Sequence, residues 1–357
     1  MCGIFGLLNK ENKGTHPPIP KKKFMHHRGP DAFGEWVSPD KKIYFAHNRL
    51  SIIGLEESSN QPMRACDGSV IIFNGEIYNY KDIKQLHLRD YEFKSSSDTE
   101  VILGLYEKYG LDCLQYLRGM FAFALWDPSR QRLFCARDRF GIKPFYFTHS
   151  EEQLVFASEI KALLPFLTQI QTNEEALSEY ITFQYTLGEE TLFKGIHQLM
   201  PGHFLVLENN QVVIKKYWDV TYKIDYETSE KGFEDKLRSL IEDSVKYHQV
   251  SDVPVGSYLS GGIDSSLVTV LASEKNPSFY GAFHGKFVEF PGYDESLYAS
   301  TTADSIHKPL HSLAITSRDF TDNIQKIIYH LDVPVAGPGS FPNLWSLNLL
   351  PNMSKWY

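Results

Sequence analysis

Two rhythms of apolar residues run along this chain, and each admits a different kind of sheet. Up to about residue 160, short apolar segments alternate with turn residues, at 4–8, 70–73, 121–126, 133–136, 145–147 and 154–157. Segments so short and so punctuated predict an antiparallel, strand-rich domain. Two hairpins are legible within this part of the chain and just beyond it. Residues 121–126 return through Asp127, Pro128, Ser129 and Arg130, and residues 204–207 return through Asn209 and Asn210 into 212–214. A helix is predicted over 98–109, where Val101, Leu105 and Tyr109 recur at steps of four and Ser/Asp residues precede them as cap candidates.

The second rhythm follows a charged, aromatic-flecked stretch without periodicity. Beyond it Phe233, Leu237, Ile241 and Val245 form a helical stripe, a strand-like run spans 253–259, and a glycine turn opens another helix. Strand, glycine turn, helix is how a parallel α/β domain begins. A chain of 357 residues exceeds what one core usually organises, so two domains are expected: 1–215, a linker at 216–230, and 231–357.

Charge and cysteine content narrow the function classes. The formal net charge is −8 and the longest basic run is Lys21, Lys22, Lys23, so neither nucleic acid nor an anionic membrane finds the basic surface it needs. Any phosphate handled here belongs to a small nucleotide held by local backbone geometry. The four cysteines, at 2, 66, 113 and 135, form no Cys-x-x-Cys pair and no zinc spacing, which fits a reduced, cytoplasmic protein without a structural metal. The apolar run 4–8 is too short for a signal-peptide core and no run reaches membrane-span length. The N-terminus is therefore expected to mature by loss of Met1.

Loss of Met1 would put a thiol and a free α-amine on one residue, Cys2. A thiol near pKa 8.5 needs a base, and an α-amine of about 7.7 to 8.0 can serve. A cysteine at position 2 is by itself most often an incidental thiol. Its context argues otherwise. Met-Cys-Gly-Ile-Phe-Gly at 1–6 resembles the start of the class II glutamine amidotransferases, a branch of the N-terminal nucleophile (Ntn) hydrolases. The resemblance continues in order through Arg-Gly-Pro-Asp at 28–31, Arg-Leu-Ser-Ile-Ile at 49–53, Gln-Pro-Met at 61–63, Phe-Asn-Gly-Glu-Ile-Tyr-Asn at 73–79 and Ser-Asp-Thr-Glu at 97–100. It implies a four-layer αββα sandwich with Cys2 as nucleophile and with Asn74 and the Gly75 N–H as oxyanion donors. It also implies a glutamine pocket of Arg49, Leu50, Ile52, Asn74, Gly75, Glu76 and Asp98, with Arg49 facing the carboxylate and Glu76 and Asp98 the ammonium. Taken singly, those charges would read as solvated surface groups. His26, His27 and His47 read as packing or hydrogen-bonding residues.

Residues 117–127, 136–147 and 157–162 are specifically similar to glutamine-hydrolysing asparagine synthetases. So is Ser-Gly-Gly-Ile-Asp-Ser at 260–265, which resembles the pyrophosphate loop of enzymes that split ATP to AMP. Its glycines let backbone N–H groups close on phosphate oxygens at a helix start. The resemblance implies an α/β ATP-pyrophosphatase domain in which Leu259, Ser260, Gly261, Gly262, Asp264, Ser265 and Ala282 bind ATP. In such a reaction ATP with Mg²⁺ adenylates aspartate, and ammonia released at Cys2 travels through a tunnel and displaces AMP. No metal ligand is identified, and a homodimer is compatible with the resemblance while the sequence itself is silent on oligomeric state.

Two departures stand out. Gly54 lies where relatives commonly carry Asp, and the family pattern is expected to stop after Pro342, as in a truncated or frameshifted reading frame with an incomplete, inactive synthetase half. Two alternatives stay open: a related amidotransferase acting on another carboxylate, or a glutaminase-only remnant.

Overall fold

The computed structural model describes residues 1–10, 25–289 and 291–334. The expected break after Pro342 lies outside the described residues. In chain order the first unit contains β1 (Gly3–Asn9), β2 (Ala32–Val37), β3 (Ile43–Arg49), β4 (Met63–Arg64), β5 (Val70–Ile77), α1 (Tyr80–Leu86), α2 (Thr99–Tyr109), β6 (Gly119–Asp127), β7 (Arg132–Arg137), β8 (Tyr146–His149), β9 (Gln153–Ala157), α3 (Glu174–Phe183), β10 (His197–Gln198), β11 (His203–Glu208) and β12 (Gln211–Lys216). The second contains α4 (Glu230–His248), β13 (Ser257–Tyr258), α5 (Ile263–Lys275), β14 (Ala282–Phe287), α6 (Ser296–Ser305), β15 (Leu310–Ile315) and α7 (Ser317–Leu331). The chain divides into two compact units between Thr221 and Tyr222.

The strands of the first unit form two six-stranded sheets, ordered β10-β8-β9-β1-β3-β2 and β12-β11-β7-β6-β5-β4. Every pairing within them is antiparallel. Side chains alternate across each strand with a period of two, so one sequence can feed two layers of core. In β1, Ile4 and Leu8 join Phe45, Phe156, Ile72, Ala124 and Leu205 between the sheets. Phe5 and Leu7 point the other way and pack with Ile160, Leu163 and Ile196. The outer face of the second sheet carries α2, where Tyr106 stacks on Phe134 at 5.8 Å and donates to Asp127 Oδ2 at 2.9 Å. Helix, sheet, sheet and a layer of short turns at 160–166 thus reproduce the αββα layering of the Ntn hydrolases.

Gly6 shows why this packing constrains sequence. It lies on the inner face of β1, opposite Phe156 in β9, and a Cβ there would overlap the Phe156 ring. The ring fills the space that a side chain would otherwise occupy, at interior packing density.

The second unit is a parallel sheet ordered β13-β14-β15. One expectation needs correction. The run 253–259 gives only a two-residue strand, β13, because Pro254 removes a ladder donor and Gly256 has no side chain to pack. The stripe on α4 is also only partly buried. Phe233 is 45% and Leu237 59% exposed, while Val245 packs with Ala272 and Phe279. Among the described residues no helix is long and apolar enough to cross a membrane.

Gly6→Ala should lower the stability of the first unit by about 1–3 kcal/mol through overpacking against Phe156. Urea unfolding followed by tryptophan fluorescence measures this, and an unchanged midpoint would contradict the packing described.

Candidate active site

Antiparallel pairing of β1 with β3 sets the start of one strand beside the end of the other, with Gly3 opposite Asn48. Cys2 just precedes β1 and Leu50 just follows the end of β3 at Arg49. The Leu50 N–H reaches Cys2 Sγ at 3.4 Å, and the thiol faces the Leu50 carbonyl at 3.6 Å. A cysteine that a propensity argument would bury is thus only half-buried, at the end of a sheet, with a backbone donor on its sulfur.

The second sheet supplies the neighbouring wall. His47 Nε2 meets the Phe73 carbonyl at 3.0 Å, tying β3 to β5 just before Asn74. Burial drives the His47 imidazole down to about 3, so it stays neutral; His27 instead bonds Glu159 at 2.7 Å, and His26 is exposed. The Phe73 N–H donates to Gln61 Oε1 at 2.6 Å, and Gln61 Nε2 donates to Thr99 Oγ1 at 3.1 Å, so Gln61 joins β5 to the start of α2.

Asn74 is 1% exposed, yet neither its Oδ1 nor its Nδ2 has a partner. A buried carboxamide normally satisfies these atoms, and leaving one unpaired costs about 1–3 kcal/mol. Gly75 follows it on β5, so close to β6 that a Cβ would overlap the Met120 carbonyl.

Asp98 is the N-cap residue of α2, but its side chain does not cap the helix. Oδ2 accepts instead from the Ile77 N–H at 2.8 Å, which fixes the carboxylate beside the end of β5. Burial raises it to about 6 against the lowering effect of those hydrogen bonds. Burial likewise pushes Glu76 up, while Lys143 pulls it back. Lys143 is 5% exposed, and burial lowers its ammonium against the opposing pull of Glu76 and Cys2. Lys143 lies within the 136–147 motif, whose residue pattern implies no role for it. It is buried although its neighbours Phe140 and Ile142 are exposed, so nothing in the sequence pattern marked it.

Arg49 differs from its expected role in one respect. Its guanidinium already donates to the carbonyls of Ile53, Gly54 and Glu56 and, at 2.8 Å, to Asn60 Oδ1. It clamps the loop 53–60 as well as lining the site with buried Leu50 and half-buried Ile52. Gly54 has φ of 64°, a left-handed turn that glycine adopts without penalty, and a Cβ there would overlap Ser59 Oγ. Asp31 Oδ2 accepts from the Ser51 N–H at 2.8 Å, so all six motifs of the first unit converge on one end of its sandwich.

The N-terminal ammonium is buried in this cluster. Desolvation lowers it to about 4, with Cys2 and Glu76 opposing and Arg28 and Lys143 assisting that shift.

In the second unit, Gly261 turns with φ of 99° and Gly262 begins α5 without any side-chain cap. Ser260 Oγ and Ser265 Oγ lie 2.9 Å apart, beside exposed Asp264. First-turn N–H groups without a side-chain cap suit a phosphate. Leu259 and Ala282, in contrast, are buried in the unit's own core with Ala299 and Ala303. Among the described residues, the carboxylates and imidazole that converge closely are Glu189, Glu190 and His197, all in the first unit, where His197 pairs with Glu190 at 3.2 Å. Nothing comparable stands beside the 260–265 loop among the described residues.

The family described as glutamine amidotransferase domain matches residues 1–218, and the family described as asparagine synthase matches 236–354, which extends beyond Pro342. Asparagine synthetase [glutamine-hydrolyzing] 1 of Bacillus subtilis is 37% identical over 350 residues, covering 96% of this chain and 54% of the relative. Amidase chyE of Penicillium rubens is 36% identical over 94% of this chain and 54% of its own length. Putative asparagine synthetase [glutamine-hydrolyzing] 2 of Methanocaldococcus jannaschii is 33% identical over 96% of this chain and 70% of its own. The chain spans about half the length of the first of these curated relatives. With the antiparallel sandwich and the parallel unit matched in that order by the two families, the chain belongs to the glutamine amidotransferases of the asparagine synthetase family.

Proposed function

We propose that the first unit hydrolyses glutamine at Cys2 and that the ammonia serves an ATP-dependent amidation, with aspartate as the acceptor. The observation that carries the reading is the unpartnered, buried Asn74 carboxamide on β5, in the sandwich whose β1 follows directly on Cys2. On loss of Met1 the α-amine would belong to Cys2 itself and stand beside its thiol as the base. The thiolate attacks the amide carbon, and the resulting oxyanion takes hydrogen bonds from Asn74 Nδ2 and the Gly75 N–H. The α-amine, having taken the thiol proton, passes it to the leaving nitrogen as the intermediate collapses to the thioester and ammonia, and water then cleaves the thioester to glutamate and the free thiol. Glu76 and Asp98 face the substrate ammonium, and Arg49 its carboxylate.

In the second unit, Ser260, Gly261, Gly262, Asp264 and Ser265 would hold the phosphates of ATP. Leu259 and Ala282, buried in the unit's own core, would back the loop rather than touch the nucleotide. Mg²⁺ would neutralise phosphate charge as aspartate is adenylated. The amidase names among the relatives favour keeping a second acceptor carboxylate in view.

Incubating the purified chain with glutamine, aspartate and MgATP should release glutamate with no requirement for ATP. AMP and asparagine should appear in equal amounts if aspartate is the acceptor. AMP without asparagine would exclude aspartate, and absence of glutamate would refute the glutaminase reading.

Asn74→Ala should lower kcat for glutamate release by about 10²–10³ with little change in KM, as loss of one oxyanion donor does. A raised KM at unchanged kcat would assign Asn74 to substrate binding instead.

Because Asp98 is ionised only above about pH 6, KM for glutamine should rise as pH falls through that value. Asp98→Asn should raise KM roughly ten- to a hundredfold at neutral pH, the worth of one charge-assisted contact. It should also remove the part of the acid limb that Asp98 supplies. Steady-state kinetics at several pH values test both, and a collapse of kcat at constant KM would contradict the assignment.

A further inference from the structure

The segment Ala-Ser-Glu-Ile-Lys-Ala at 157–162 has no part in the chemistry derived above, yet it grips the backbone of Ile4, two residues beyond the nucleophile. Antiparallel pairing of β9 with β1, Ala157 opposite Phe5, delivers the residues after β9 to the beginning of β1. There Ser158 grips Ile4 twice: its N–H donates to the Ile4 carbonyl at 3.0 Å, and its Oγ accepts from the Ile4 N–H at 3.0 Å. Glu159 follows, with 3% of its surface exposed. Its Oε1 accepts from His27 Nε2 at 2.7 Å and from Arg28 Nη1 at 3.2 Å, and its Oε2 accepts from Lys161 Nζ at 2.8 Å. Arg28 then reaches onward, and its Nε donates to the Cys2 carbonyl at 2.9 Å.

We propose that Glu159 is a positioning residue of the glutaminase site, holding the Arg28 guanidinium on the Cys2 carbonyl and thereby fixing the nucleophile's backbone. The inference rests on the glutaminase reading of Cys2 and names a part of that site which the reading does not use.

The need for such a brace follows from topology. The β1–β3 ladder starts at Gly3, so Cys2 lies just outside the hydrogen bonds that order the strand. Its sulfur meets only the Leu50 backbone among the bonds described. Arg28 supplies the missing hold because a guanidinium is a rigid planar fork: oxygens on Nε and Nη1 together fix its orientation, which a flexible ammonium could not do. The carboxylate that anchors the fork is itself held by two further cations. Burial alone would raise Glu159, but the His27 hydrogen bond, Arg28 and Lys161 carry it down to about 2, so it remains an anion at working pH.

Room for the fork is built into the sequence. A Cβ on Gly3 would stand 3.0 Å from Met25 Cβ and 3.5 Å from Arg28 Cδ. A Cβ on Gly29 would overlap the Asn48 carbonyl, so glycine there lets the Arg28 segment close on β3.

Glu159→Gln keeps the shape and removes the anion. With the full chain and glutamine alone, kcat for glutamate release should fall about ten- to a hundredfold, the scale expected when a reacting group is misplaced by about 1 Å. KM for glutamine should stay within about twofold, since the groups facing the substrate head are elsewhere. Arg28→Lys keeps the charge opposite Glu159 but loses the fork, and should give the same split. The double variant should be no slower than the slower single variant, because both break one bridge.

Wild-type kcat in Glu159→Gln, or additive losses in the double variant, would overturn the proposal. So would kcat and KM moving together with a lowered urea midpoint, the mark of a merely structural role. Should Glu159→Gln fail to fold, Arg28→Lys alone decides by the same kcat-against-KM split. No glutamate from the wild-type chain would instead refute the glutaminase reading, and this inference with it.

Discussion

The pairing of β1 on both of its sides, to β3 and to β9, is the constraint on which the first unit depends. A strand hydrogen-bonded on both edges and buried on both faces has no freedom of register, because a slip of one residue would exchange Ile4 and Leu8 with Phe5 and Leu7. The register therefore dictates where Cys2 stands. It also brings the end of β3, with Arg49 and Leu50, and the turn after β9, with Ser158 and Glu159, to the same place. Packing on the second sheet adds the end of β5. Chemistry-bearing residues from four separated stretches of sequence meet because one strand cannot slide.

That end of the sandwich gathers charge that a stable protein would otherwise keep in water. Arg49, Lys143, Asp98 and Glu159 are all nearly inaccessible. Burying ions is costly unless geometry is good, and here the arrangement is uneven. Glu159 is triply paired and depressed, whereas Asp98 is raised by burial. Asn74 forgoes both side-chain hydrogen bonds. Satisfied groups thus brace the backbone, and under-satisfied groups line the place where a zwitterionic amide substrate would supply the partners. Such concentration of unmet polar capacity at one site is expected of function rather than of stability.

Much of this was legible from residues alone. The 121–126 and 204–207 hairpins form as their turn residues indicated. Other features were hidden for physical reasons. β3 reads Ile-Tyr-Phe-Ala-His-Asn-Arg, and its polar second half conceals a strand that is buried throughout, His47 being satisfied only by a carbonyl of the other sheet. Asp98 looked like a helix cap, yet its partner is the Ile77 N–H, 21 residues away in sequence. Glu159 and Lys143 stood within quoted motifs without a role, because their meaning lies in partners that only the folded chain brings near. In the second unit, periodicity correctly announced α4 but could not tell which half of its stripe would be covered.

The central claim is that Cys2 is a nucleophile set in a glutamine pocket. It is tested most directly by treating the purified chain with a diazoketone analogue of glutamine and mapping the adduct by peptide mass spectrometry. The account predicts one adduct, on Cys2, formed in proportion to loss of glutamate release and suppressed by excess glutamine. An adduct on exposed Cys66 with glutamine hydrolysis intact, or labelling of Cys2 that glutamine does not slow, would contradict it.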